Sequence, residues 1–280
     1  MNLHQIDFNS NKANFDFSQS LQHTGFAVLK NHPIDYNLVQ DVFEEWATFF
    51  SQQYKQDYLF DKNTQDGFFP ITVSETAVGY NVKDLKEFYH YYPWGKYPKE
   101  LTNKTKYLYT QMNDFAIVLL KWVEDYLPSL IKDNLSENLA QMIQESNQTL
   151  LRILHYPPIS GDEENNAIRA QAHTDINLLT ILVAASESGL QVQDNAGNWI
   201  DVPVDTGMVA INIGDMLQEA TNGYYKSTMH RVINPNGENM KKSRYSIPLF
   251  LHPRSDVKLS SKYTAGEFLL HRLKELGLKK

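Results

Sequence analysis

From residue 150 onward the chain is a succession of short apolar, β-branched runs separated by turn residues, and no other feature restricts its fold as much. Residues 150–156 close on Pro157-Pro158, and residues 178–183 are apolar and β-branched. Residues 190–193 and 199–202 flank Asp194-Asn195-Ala196-Gly197 as a hairpin, and 208–213, 230–233 and 245–251 continue the series. So many short strands in succession predict a barrel or jelly roll rather than a parallel sheet.

The first half reads mainly helical. From Asp35, the residues Val39, Val42, Phe43, Trp46, Phe49 and Phe50 fall on one face at helical spacing. Residues 100–126 carry Leu101, Leu108, Met112, Phe115, Leu119, Trp122 and Tyr126 in the same rhythm, and Pro128 ends the stretch. Residues 66–95 are rich in Gly, Tyr, Phe and Pro without a sustained period, and read as loop and short strand. A last helix is predicted from Thr264, which forms a capping box with Glu267 ahead of Phe268, Leu269 and Leu273. The expected class is α+β. One domain spans 1–280: a mainly helical portion (1–149), a β core (150–255) and a C-terminal helix (256–280).

There is no cysteine, so disulfides, thiolate zinc sites and iron–sulfur clusters are excluded, and any metal must be held by His and carboxylate. A formal charge of −7 argues against nucleic acid as a partner. No apolar run is long enough to span a bilayer, so no membrane partner is expected. The segment Met1-Asn2-Leu3-His4-Gln5-Ile6-Asp7 lacks the basic start and apolar stretch of a signal peptide, and a cytoplasmic location is the expectation.

His173-Thr174-Asp175 places an imidazole and a carboxylate two residues apart. In a strand such residues project from one face and can converge on one ion. His230, heading the strand-like His230-Arg231-Val232-Ile233, is the natural third ligand. Two imidazoles and one carboxylate on one face of iron(II) leave the opposite positions open for a co-substrate and dioxygen. By chance roughly half of such chains would hold a His-x-Asp, so the weight rests on its place in a β-rich half with a second strand histidine.

Arg244-Tyr245-Ser246 repeats the geometry, with Arg244 and Ser246 on one strand face. A guanidinium can grip a carboxylate by two parallel hydrogen bonds, and the hydroxyl can add a third. The alternative is an edge arginine paired with a surface acid. Tyr156 shares a strand face with Arg152 and Leu154; its phenol can join the same carboxylate or serve equally as a core tyrosine. His155 points the other way and is not a ligand.

Several motifs then occur in order: Ala172-His173-Thr174-Asp175, Gly189-Leu190-Gln191-Val192-Gln193, Asn212-Ile213-Gly214-Asp215, Thr221-Asn222-Gly223, Ser227-Thr228-Met229-His230-Arg231-Val232 and Arg244-Tyr245-Ser246-Ile247-Pro248. Together with Thr24-Gly25-Phe26 and the residues after it, they resemble the isopenicillin N synthase-like family of iron(II)- and 2-oxoglutarate-dependent oxygenases. The resemblance implies a double-stranded β-helix (jelly-roll) core with flanking helices. It implies iron(II) on His173, Asp175 and His230, and 2-oxoglutarate on Arg244, Ser246 and Tyr156. It further implies a dioxygenase that hydroxylates, desaturates or cyclises a small organic substrate while 2-oxoglutarate is decarboxylated to succinate. Two departures stand out: Leu154 occupies a position where plant members often have Asn, and Asn234-Pro235-Asn236-Gly237-Glu238 is a polar insertion read as a surface turn.

Phe68, Phe69, Tyr80 and Asp84-Leu85-Lys86-Glu87 match the variable portion that borders substrate in that family. Taken singly they also fit an aromatic loop and a solvated charge cluster. Two other functions fit the motifs: a 2-oxoglutarate-independent iron oxidase, and a non-catalytic metal-binding sensor. A complete ligand set with its clamp argues against the sensor.

Overall fold

The computed structural model describes residues 3–73, 82–164, 166–194, 196–203 and 205–275. In chain order they form β1 (Gln5–Asp7), α1 (Ala13–Thr24), β2 (Phe26–Lys30), α2 (Tyr36–Ser51), β3 (Gly67–Phe69), β4 (Glu87–Tyr91) and α3 (Lys104–Asp125). Two short helices follow, α4 (Ser129–Lys132) and α5 (Leu139–Met142), and then β5 (Leu150–Tyr156), β6 (Ala170–His173), β7 (Leu179–Val183), β8 (Leu190–Gln193), β9 (Trp199–Asp201) and β10 (Val209–Ile213). The chain ends through α6 (Asp215–Ala220), β11 (His230–Val232), β12 (Arg244–Ser246), β13 (Pro248–Phe250) and α7 (Ala265–Glu275).

The strands make two sheets. The larger has the order β1-β2-β10-β7-β13-β5-β4-β3 with β12 also on β5, and the smaller is β6-β11-β8-β9. From β5 onward the chain crosses between them repeatedly: β5 large, β6 small, β7 large, β8 and β9 small, β10 large, β11 small, β12 and β13 large. That winding is the double-stranded β-helix. Among the described residues these strands pair antiparallel, except β1 with β2.

Period-two alternation sorts the large sheet's side chains. Leu151, Ile153, Leu179, Ile181, Val209, Ile211 and Leu249 join the core shared with the helices, while Leu154, Tyr156, Phe26, Val28 and Ala210 pack between the sheets. The helices are the scaffold that their periodicity predicts. Asp35 caps α2 by accepting from the Asn37 N–H at 2.9 Å, and α2 buries Val39, Val42, Phe43, Trp46, Phe49 and Phe50. Each such large apolar side chain contributes about 1.5–3 kcal/mol on burial. Trp46 keeps its indole N–H satisfied inside this core by donating to the Thr105 hydroxyl at 2.9 Å.

Two features differ from the sequence reading. Helix α3 starts at Lys104 rather than 100, because Leu101 lies in a turn closed by its N–H on the Pro98 carbonyl. Residues 245–251 are two strands, β12 and β13, and both pair with β5. Within residues 1–149, β1 to β4 join the same sheet as β5. Among the described residues the last helix is α7, Ala265–Glu275. Its capping box is reciprocal: Thr264 N–H and hydroxyl both donate to Glu267 Oε2, and the Glu267 N–H donates back to the hydroxyl.

Candidate metal centre and acid pocket

His173 closes β6, but Asp175 has already left the strand, so the i, i+2 argument explains only part of how the two side chains come together. A braced turn is what aims the carboxylate. Asp215 N–H donates to the Asp175 carbonyl at 2.7 Å, and Gly214 N–H to that of Leu178 at 2.9 Å. Gly214 approaches so closely that a Cβ there would lie 2.1 Å from the Asn177 carbonyl oxygen. The side chain itself is fixed through one oxygen: Asp175 Oδ2 accepts from Thr180 Oγ1 at 2.5 Å and Asn212 Nδ2 at 2.8 Å.

Oδ1 is left to face the imidazoles, 3.9 Å from His173 Nε2 and 3.7 Å from His230 Nε2. The His230 end is held by the opening turn of the chain. Gly25, with φ of 72°, ends α1, and Thr228 Oγ1 donates to the Thr24 carbonyl at 3.1 Å. Phe26 then packs edge-on against the His230 ring at 5.6 Å. His173 Nδ1 is 2.7 Å from the Gln171 carbonyl and His230 Nδ1 is 3.2 Å from that of Thr228. These contacts fix the tautomer with Nδ1 protonated and free both Nε2 lone pairs for a metal. The three ligand atoms lie within 4.8 Å of one another.

Charge suits a divalent ion. Burial, with the neighbouring His230 imidazole next, pushes His173 down to about 4. Burial by itself raises Asp175, but His230, His173 and the hydrogen bonds from Asn212 and Thr180 outweigh it and hold the carboxyl below the usual range. At neutral pH the site therefore offers a neutral His173 imidazole and a carboxylate, the forms a metal binds.

The clamp residues meet where β12 pairs with β5, Arg244 opposite Tyr156. Arg244 is 2% exposed and Ser246 3%, on one face, while Tyr245 stacks on His155 at 4.9 Å on the other. His155 faces away as expected, Nδ1 against Glu87 and Nε2 against Ser243. Arg244 is no edge arginine paired with a surface acid: its Nε donates to the Glu187 carbonyl at 2.9 Å, and its buried Nη1 has no hydrogen-bond partner among the described residues. Its guanidinium carbon lies 5.1 Å from the Tyr156 ring centroid. Burial lowers the Arg244 pKa and Tyr156 opposes the shift. A buried cationic N–H without an acceptor is costly, so this pocket is arranged for an anion. Tyr156 also packs with Ala170 and Val232, three residues before His173 and two after His230, which ties the pocket to the metal centre.

The candidate substrate residues separate. Tyr80 lies outside the described residues. Phe68 points to the helices, buried with Phe49 and Phe50 at ring distances of 6.1 and 6.2 Å, so it does not border the interior between the sheets. Its neighbour Phe69 faces the interior by the same alternation, stacked between Phe60 (4.2 Å) and Phe88 (4.6 Å). The acidic and basic residues at 84–87 are not solvated. Asp84 and Lys86 form a buried pair at 2.8 Å, Asp84 accepts from the Gln171 N–H, and Glu87 pairs with Lys55 at 3.0 Å. The Lys86 charge is felt at His173.

Two site features went unread in the sequence. Asn212 and Thr180 are one. The other is Arg169, which is 1% exposed and lies 6.0 Å from the Tyr156 ring. Nothing in an isolated arginine four residues before His173 marks it as buried until the partners of β6 are known.

The chain matches two family models: the 2OG-Fe(II) oxygenase superfamily over residues 147–253, and the non-haem dioxygenase in morphine synthesis N-terminal over residues 6–113. It is similar to the solved structure of a putative oxygenase from Shewanella oneidensis, with 51% identity, a TM-score of 0.90 and 99% of each chain covered. A putative 2OG-Fe(II) oxygenase family protein from Caulobacter crescentus is 31% identical with a TM-score of 0.81, over 98% of this chain and 99% of that one. A proline hydroxylase of Petromyces alliaceus is 30% identical over 86% of this chain and 81% of its own length. The chain spans 33% of a 2-oxoglutarate-dependent dioxygenase of Monascus ruber, at 40% identity over 39% of this chain. With a buried arginine whose Nη1 has no partner among the described residues and a His-Asp-His set whose Nε2 lone pairs are free, the residues fit iron(II) with 2-oxoglutarate, and dioxygen as the co-substrate, and the chain belongs to the 2OG-Fe(II) oxygenase superfamily.

Proposed function

We propose that this chain is a dioxygenase of the isopenicillin N synthase-like branch, oxidising a small organic substrate as 2-oxoglutarate is converted to succinate and carbon dioxide. In this reading His173, Asp175 and His230 hold iron(II), and Arg244, Ser246 and Tyr156 hold the distal carboxylate of 2-oxoglutarate. The bound iron supplies activation of dioxygen. The observation that carries the reading is the buried Arg244 Nη1 without an acceptor among the described residues, linked through Tyr156 and Val232 to the ligand set. The protein's own part is to fix ligand and co-substrate geometry and to keep water away; the stacked Phe60, Phe69 and Phe88 are suited to walling the substrate side. Such apolar walls favour a small, partly apolar molecule over a macromolecule.

The test is an anaerobic titration of the protein with iron(II) and 2-oxoglutarate, following the visible charge-transfer band of the chelate. The wild type is expected to show the band, His173→Ala to lose it, and Arg244→Ala to need at least tenfold more 2-oxoglutarate, the loss of one charge-assisted contact. A metal-loaded wild type with no band at saturating 2-oxoglutarate rejects the co-substrate. Oxygen uptake that proceeds equally without 2-oxoglutarate would favour the independent oxidase instead.

A further inference from the structure

We infer that Arg169 is a second arginine of the 2-oxo acid pocket, and that with Arg244 it selects a co-substrate carrying a distal carboxylate. The inference rests on the 2-oxoglutarate reading above and extends it to a residue outside the Arg-x-Ser motif. Arg169 is held at both ends of its reach. Its backbone N–H donates to Asn234 Oδ1 at 3.0 Å, and Nη2 donates to the Lys242 carbonyl at 3.0 Å. Between these anchors its Nε is buried and has no hydrogen-bond partner among the described residues. Arg244 shows the same condition at Nη1. The two guanidinium carbons lie 6.0 and 5.1 Å from one ring, that of Tyr156, so both unmatched donors belong to one neighbourhood.

The charge balance points the same way. Each arginine is 1–2% exposed, and the Arg244 charge lowers the pKa of Arg169 after burial does. The acid that both feel, Glu187, gives its carbonyl to Arg244 while its carboxylate, 32% exposed, sits 3.8 Å from Lys242. Two buried cations thus share one partly solvated acid and the Tyr156 ring. Buried like charges are tolerated where an anion completes the site. A carboxylate offers about four lone-pair sites and can take Arg244 and Arg169 together. The polar insertion acquires a role in this arrangement, because Asn234, which also donates to the Ala167 carbonyl at 2.9 Å, fixes the Arg169 backbone.

The experiment compares two co-substrates in the iron(II)-loaded full chain without oxygen: 2-oxoglutarate, and 2-oxopentanoate, which chelates identically but lacks the distal carboxylate. Half-saturation is read from the charge-transfer band in wild type, Arg169→Met and Arg169→Lys, with melting temperature followed in the metal-free proteins. For Arg169→Met we expect 2-oxoglutarate to bind at least tenfold more weakly and 2-oxopentanoate within twofold of wild type, with Arg169→Lys intermediate for 2-oxoglutarate. Equal weakening for both acids in the Met and Lys variants would show that Arg169 only packs the pocket, and unchanged binding of 2-oxoglutarate would show that it does not reach the carboxylate. Either result overturns the inference while a wild-type band leaves the co-substrate reading standing. Absence of any wild-type band removes both.

Discussion

Asp175 uses one oxygen for the protein and leaves the other to the histidines, and that division is set by Thr180 and Asn212 on Oδ2. A carboxylate free to rotate would offer its lone pairs in many directions, and the entropy lost on binding would come out of the metal affinity. Asn212→Ala keeps all three ligands and removes one of the two restraints. Its iron(II) affinity is expected to fall about 10- to 100-fold, the usual cost of losing such a supporting hydrogen bond, with the charge-transfer band retained at saturating metal. An affinity equal to wild type in a metal titration would show that Thr180 alone orients the carboxylate. Arg244 and Arg169 work by the opposite logic, since they hold buried donors, Nη1 and Nε, that have no partner among the described residues. Their neighbourhood is kept in place by contacts on other atoms, to carbonyls of Glu187 and Lys242, so the pocket is formed before an anion arrives.

At the scale of elements, the metal centre is a joint between the end of β6, the start of β11 and the turn that precedes α6. Gly214 is the tightest point. Gly214→Ala would drive a Cβ to 2.1 Å from the Asn177 carbonyl oxygen and 2.3 Å from its Oδ1, so the 175–178 turn must shift. Unfolding in urea should show a loss of about 1–3 kcal/mol, as for other overpacked sites, together with weaker metal binding. Thr264→Ala is the control: it breaks the α7 capping box, costs about 1 kcal/mol, and should leave metal affinity alone. Undiminished metal affinity in Gly214→Ala would show that the turn does not position Asp175. The same elements explain what could be read from sequence. The capping box, the β8–β9 hairpin and the face shared by Arg244 and Ser246 depend on local spacing, and local spacing is visible. Phe68 and Phe69 differ only in strand register, which is fixed by pairing with β4 and not by the residues themselves. The burial of Asp84 and Arg169 follows from contacts across about 70 to 90 residues of chain, to Gln171 for one and Lys242 for the other, and leaves no periodic trace.

For the whole molecule, three partly buried histidines make stability depend on pH in a defined direction. Burial pushes His173 and His252 down to about 4 from 6.5, and lowers His32 as well. His252 and His32 each keep a buried ring nitrogen without a partner among the described residues. A group whose folded pKa lies below its unfolded one binds its proton first in the unfolded chain. The metal-free protein should therefore be fully stable above pH 6.5 and lose stability as the pH falls from 6.5 towards 4, where these two histidines protonate in the native state as well. Below about 4 the loss passes to Asp175, whose carboxyl is held under its usual value. Urea unfolding from pH 7 to pH 4 measures the slope, and His252→Asn should reduce it by close to one proton. A saturating divalent metal raises the whole curve by about 2.7 kcal/mol at one hundred times its dissociation constant. The raised curve should fall more steeply towards pH 4, because protons then compete with the metal for His173 and the folded state loses a ligand as well as a neutral imidazole. Parallel curves with and without metal would mean that the ion binds elsewhere.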